Sequence, residues 1–95
     1  MIPKRVRVAG HWIKVRWDDL GGVFGQYDQD KMEIVLSNNI KGDPDTAWET
    51  LYHEMMHASL GLSGLAEILG ETTEEAIVRN VEYIFLPAIS ELSDS

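Results

Sequence analysis

The sequence predicts an α+β fold: a small antiparallel sheet of three to four strands, followed by two helices. Three observations lead there. Apolar residues alternate with period two before residue 40 and recur with helical period after it. Turn-forming residues interrupt the first part at short intervals, and both helical stretches carry recognisable boundary residues. The 95 residues contain no internal repeat and no linker, so residues 1–95 read as one domain.

Taken in order, Arg5-Val6-Arg7-Val8 alternates, Ala9-Gly10-His11 can turn, and Trp12 to Trp17 alternates again, which describes a hairpin. Asp18-Asp19 and Gly21-Gly22 break it. Val23–Tyr27 and Met32–Leu36 form a second hairpin around Asp28-Gln29-Asp30-Lys31. The first helix is expected over residues 44–60. Asp43 is its N-cap, Pro44 stands where its missing N–H costs nothing, and Gly61 is its C-cap. Residues 61–71 read as a glycine-rich loop with room for one short turn of helix. A second helix is expected over residues 73–86 and should stop before Pro87, with a frayed tail from Ser90 to Ser95.

Composition narrows the function classes. With 8 basic and 16 acidic residues the net charge is −8, which argues against a nucleic-acid partner. No apolar run is long enough to span a bilayer, and the N-terminus lacks a signal-like apolar region, so the reading is a cytoplasmic protein without a membrane partner. Charge is segregated: residues 1–17 carry five cations and no acid, and the rest carry 3 cations against 16 acids. The plain reading is a solvated basic sheet face and acidic helices. Cysteine is absent, so neither a disulfide nor a thiolate metal site can staple the modest core of so short a chain. Any metal must be held by nitrogen and oxygen.

The first helix contains His53-Glu54-Met55-Met56-His57, an H-E-x-x-H pattern. Residues i and i+4 share a helix face, so both imidazoles can reach one metal ion, while the intervening glutamate is placed to hold a water beside it. At this chain's own His and Glu frequencies the pattern arises by chance in about one such sequence in a hundred. On a helical wheel, Thr46, Glu49, Thr50, His53, Glu54 and His57 share one polar strip, and the remaining positions, Ala47, Trp48, Leu51, Tyr52, Met55, Met56 and Ala58, are apolar. Such a helix should be buried, and buried polar groups need partners. The alternative is a pair of structural histidines on a surface helix.

The third ligand is less determined. Leu60 and Ser63 stand where a metzincin would have glycine and histidine, and no histidine follows His57. A carboxylate is therefore expected, with His11 a weaker candidate. Glu67, Glu71, Glu74 and Glu75 are available, with Glu82 a distant fifth. Glu74 falls within the apolar face formed by Ile77, Val78, Val81, Ile84 and Phe85, whereas Glu75 fits a capping box opened by Thr72. The reading favours Glu74 and keeps Glu75 as the alternative.

With these residues in view, the chain resembles a small gluzincin-type metallopeptidase, of the phage and prophage zincin group related to the ImmA/IrrE metallopeptidases, and more distantly SprT-like domains. The resemblance runs from about Gly25 to Pro87. It is carried by Gly25-Gln26-Tyr27-Asp28, Ile34-Val35-Leu36, Thr50 to Ala58 and Thr73-Glu74-Glu75-Ala76. It implies a minimal zincin-like fold with zinc on His53, His57 and Glu74 or Glu75, with Glu54 as catalytic base. It also implies that peptide substrate lies along a sheet edge near Met32–Leu36. The chain departs from thermolysin-like gluzincins in having Val78 or Arg79 where an aspartate would orient a histidine.

The function expected is zinc-dependent peptide hydrolysis, by water that the metal activates and Glu54 deprotonates, on a peptide or protein substrate or a single specific partner. Tyr27, Tyr83 and His11 are candidate oxyanion donors. Trp12, Trp17 and Trp48 read as core or sheet-cover side chains, and Met55 and Met56 as filler. The alternative function is a non-catalytic module that zinc merely staples together. Glu54 separates the two, since a purely structural site has no use for it.

Overall fold

The computed structural model describes residues 1–93. Four strands, β1 (Arg5–Val8), β2 (His11–Asp18), β3 (Gly25–Asp28) and β4 (Glu33–Ser37), form one sheet in the order β1-β2-β4-β3. A 3-10 turn (Asn38–Ile40) leads to α1 (Pro44–Leu62), then α2 (Leu65–Leu69) and α3 (Glu71–Asn80). A π-helical turn (Val81–Phe85) joins α3 to α4 (Leu86–Ser93).

Both hairpins are present, but the sheet is mixed rather than antiparallel. β1–β2 and β3–β4 pair antiparallel, while β2 and β4 run parallel, with Lys14 opposite Glu33 and Trp17 opposite Leu36. The cause lies in composition. β4 holds the unbroken apolar run Ile34-Val35-Leu36, and all three residues are buried. A strand apolar on both faces belongs inside a sheet, so β4 sits between β2 and β3 instead of at an edge. The expected substrate-bearing edge at Met32–Leu36 therefore does not exist. The margin beside α1 is β3.

The β1–β2 turn is Ala9-Gly10, both at positive φ (50° and 78°), a two-residue connection whose twist suits a hairpin. Alternation then sorts the hairpin's faces. Val6, Val8, Ile13 and Val15 point to the core, where Ile34, Leu36, Leu51 and Ala58 join them. Arg5, Arg7, Trp12 and Lys14 lie exposed on the opposite face. Trp12 is 48% exposed, with the Arg5 guanidinium 3.9 Å and that of Arg7 5.2 Å from its ring centre, so it covers the sheet and is not core.

Helix α1 begins as its sequence dictates. The Asp43 carboxylate accepts from the Thr46 N–H and the Thr46 hydroxyl, and Pro44 is the first helical residue. It ends two residues later than expected, at Leu62. Gly64, at φ +81°, supplies the left-handed residue in place of Gly61. Gly61 is instead a packing site, because a Cβ there would collide with the Gln29 side chain. The helix is not buried on all sides. Ala47, Leu51 and Ala58 are buried, but Tyr52 is half exposed and stacks obliquely on Trp48 at 5.7 Å.

The C-terminal helix starts earlier and runs further than expected. Gly70 is the N-cap of α3, so Thr72 lies inside the helix and no capping box forms, which leaves Glu75 without a cap role. Pro87 does not end the helix. A proline removes one N–H and crowds the preceding turn, and the wider π turn just before it accommodates both effects. Val78 is fully buried, whereas Ile77, Ile84 and Phe85 of the expected apolar face are exposed. The expected fraying of the tail is not seen up to Ser93, and Asp94 and Ser95 lie outside the described residues. No described helix is long and apolar enough to cross a membrane.

Candidate metal centre and cleft

Helix α1 presents His53 and His57 one turn apart toward α3 and the π turn, and three glutamates there converge on them. His53 Nδ1 lies 2.7 Å from a Glu82 carboxylate oxygen, and His57 Nδ1 lies 2.9 Å from Glu74. On their other side the two rings face each other, with Nε2 to Nε2 at 3.2 Å. Glu75 approaches that same side, its oxygen 2.8 Å from His57 Nε2. All five groups are partly buried or at the cleft rim.

These partners fix the tautomers. A carboxylate accepts at each Nδ1, so each ring donates there and turns an Nε2 lone pair inward. With both imidazoles neutral, the two Nε2 atoms and Glu75 are all acceptors, an arrangement that a metal ion, or a proton on one ring, would satisfy. His53, His57 and Glu75 each offer one ligand atom within 4.8 Å of the others. Tetrahedral zinc holds two imidazole nitrogens about 3.3 Å apart, close to the spacing found. The residues fit a zinc ion. Glu74, the favoured third ligand, is instead on the outer nitrogen of His57. Glu75 lies on the Nε2 side and has no cap role, because the helix starts two residues earlier than the capping-box reading required. Glu82, ranked last among the acids, orients His53. Glu74 and Glu82 thus supply the orientation that the missing aspartate after the ligand would have given.

Glu54 lies on the sheet-facing flank of the same helix turn. It is 7% exposed and makes no hydrogen bond or ion pair among the described residues. Burial pushes its carboxyl above the usual carboxylate range, with the Glu75 and Glu82 charges adding to the rise and the two imidazoles only partly opposing it. Gly25 of β3 makes room for it. A Cβ at Gly25 would fall 3.3 Å from Glu54 Cγ and 2.6 Å from Thr50 Cγ2.

A cleft of about 480 Å³ opens onto His53, Glu54 and Glu82. Its floor is the polar strip of α1 (Thr46, Glu49, Thr50, His53, Glu54), one wall is residues 22–25, and Glu82 and Tyr83 form the other. Of the candidate oxyanion donors, Tyr83 lines this cleft. The Tyr27 hydroxyl is directed to Met32 Sδ at 4.0 Å, and His11 sits at the β1–β2 turn. Along β3, the Phe24 carbonyl accepts from the Ser37 N–H at 2.7 Å. By strand alternation, the N–H and C=O of Gly25 and Tyr27 turn to the sheet's open edge beside the cleft.

The chain matches no family model, and no curated protein or solved structure matches it.

Proposed function

We propose that this protein is a zinc-dependent peptidase of gluzincin type, in which His53, His57 and Glu75 hold the metal and Glu54 is the general base. The observation that carries the reading is Glu54 itself: a residue only 7% exposed, whose carboxylate has no hydrogen-bond partner among the described residues and opens onto a cleft that His53 also lines. Burying most of this side chain disfavours its charged form. A structural staple gains nothing from it, whereas a hydrolase needs a base that is desolvated and close to the metal.

Zinc would supply Lewis acidity, lowering the pKa of water towards about 7 and polarising the scissile carbonyl. The chain's own groups do the rest. Glu54 takes the proton from the attacking water and passes it to the leaving amine. Glu74 and Glu82 keep the imidazoles in the tautomer that faces the metal. The outward N–H and C=O groups of Gly25 and Tyr27 can pair with an extended peptide, laying it across the cleft mouth. Tyr83 is the residue of the cleft with a hydroxyl to offer a developing oxyanion.

The competing reading, a zinc-stapled binding module, shares the ligands and differs at Glu54. The Glu54→Gln variant is expected to keep one zinc per chain and lose peptide cleavage about 10²–10⁴-fold. Retained cleavage in that variant would remove Glu54 from the chemistry and return the site to the stapling role.

A further inference from the structure

The cleft has a composition that goes beyond its chemistry. Its lining includes three acids, Glu49, Glu54 and Glu82, and three large apolar or aromatic side chains, Val23, Phe24 and Tyr83, and contains no lysine or arginine. Glu54 faces the reacting bond in the reading above, and Glu82 is engaged by His53. Glu49 has neither role. It stands exposed one helical turn before His53, with no hydrogen bond or ion pair among the described residues. Val23, Phe24 and Tyr83 around it are each more than half exposed.

From this juxtaposition we infer that the site selects peptides with a basic side chain flanked by apolar residues near the scissile bond, and that Glu49 reads the positive charge. The inference rests on the peptidase reading of the cleft and names its substrate class. Spacing supports it. One turn of α1 advances about 5.4 Å, and two residues of an extended peptide advance about 6.7 Å. A side chain two positions from the bond at the metal, on the helix-facing side of a peptide paired with β3, comes level with Glu49. A lysine or arginine there lays its methylenes along Phe24 and Tyr83, carries its charge over their ring faces and ends at the Glu49 carboxylate. An acidic side chain in the same place meets Glu49, Glu54 and Glu82 with no cation of the protein to offset them. The absence of basic residues from the lining thus excludes acidic peptides as effectively as Glu49 attracts basic ones.

The test uses three fluorescently labelled heptapeptides, identical except for a central Lys, Gln or Glu between Phe and Leu. Their dissociation constants are measured by anisotropy on zinc-loaded Glu54→Gln protein, and their kcat/KM values on the zinc-loaded wild type. The lysine peptide is expected to bind about fivefold tighter than the glutamine peptide, the glutamate peptide to bind weakest, and Glu49→Lys to reverse the order. Equal binding of all three, preference for the glutamate peptide, or an order unchanged by Glu49→Lys overturns the inference. Cleavage separates it from the reading beneath it. If wild type binds the peptides in the expected order and cleaves none, the peptidase reading falls and the basic-peptide selectivity of the cleft stands.

Discussion

Two regions of this molecule concentrate charge, and they handle it in opposite ways. On the β1–β2 hairpin, Arg5, Arg7 and Lys14 stand in solvent around a half-exposed Trp12, and Arg16 bridges Asp18 and Glu33 at 2.8 and 2.7 Å. These charges are hydrated and cost the fold little. Around α1, the acids and imidazoles are drawn into the interface with α3 and the π turn, where Glu54 has no hydrogen bond or ion pair among the described residues. Charge density is therefore a poor guide to function in this chain. The informative property is a part-buried cluster of imidazoles and carboxylates gathered beside a cleft.

That contrast can be broken by substitution, starting where the expected effect is largest. Replacing His53, His57 or Glu75 by alanine should abolish stoichiometric zinc binding, measured by elemental analysis after dialysis, whereas Arg5→Ala should leave it intact. Replacing the orienting acids should have a graded effect. Glu74→Gln and Glu82→Gln are each expected to weaken zinc about 10–100-fold in competition with a chelator, because each imidazole loses its fixed tautomer. Should Glu74→Ala instead eliminate zinc while Glu75→Ala retains it, the two glutamates exchange roles.

A smaller effect concerns stability without metal. The folded Glu54 carboxyl binds its proton more tightly than the unfolded one, because burial raises its pKa. In the window between the ordinary glutamate range and that raised value, the unfolded state is ionised and the folded state is not. Folding stability is thus lost as pH rises through the window. Glu54→Gln should remove this slope and stabilise the metal-free protein above it by about 1–3 kcal/mol, with the difference vanishing in acid. Denaturant melts at several pH values measure both. The smallest effect belongs to the hairpin: Arg16→Ala removes one exposed pair with Asp18 and one part-buried pair with Glu33, and should lower the midpoint of a denaturant melt only slightly.

Much of the helical half could be read from the residues, because its signals are local. Asp43-Pro44 marks the start of α1, and the H-E-x-x-H spacing places both imidazoles on one face. What depended on distant partners was read less well. The parallel β2–β4 pair arises because the most apolar strand seeks two neighbours, a competition between strands that no single segment displays. The choice between Glu74 and Glu75 depends on a shift of two residues in where a helix begins: with Gly70 as N-cap, Thr72 is interior, Glu75 is free of a cap role, and Glu74 and Glu82 lie at the outer nitrogens. Their spacing of eight residues, two turns apart on one helix face as the histidines are one turn apart, was the available signal for that pairing. Pro87 misled for a related reason, since its clash is relieved by a π turn that no local pattern announced.

The central claim is that His53, His57 and Glu75 bind a zinc ion with one position left open toward Glu54. The most direct measurement is a crystal structure of the zinc-loaded protein, with the metal located by anomalous scattering at the zinc edge. The account predicts one ion on the two Nε2 atoms and a Glu75 oxygen, with Glu74 and Glu82 on the Nδ1 atoms and a non-protein fourth ligand facing Glu54. A zinc ion enclosed by four protein ligands, or a protein that takes up no zinc at this cluster, would contradict it.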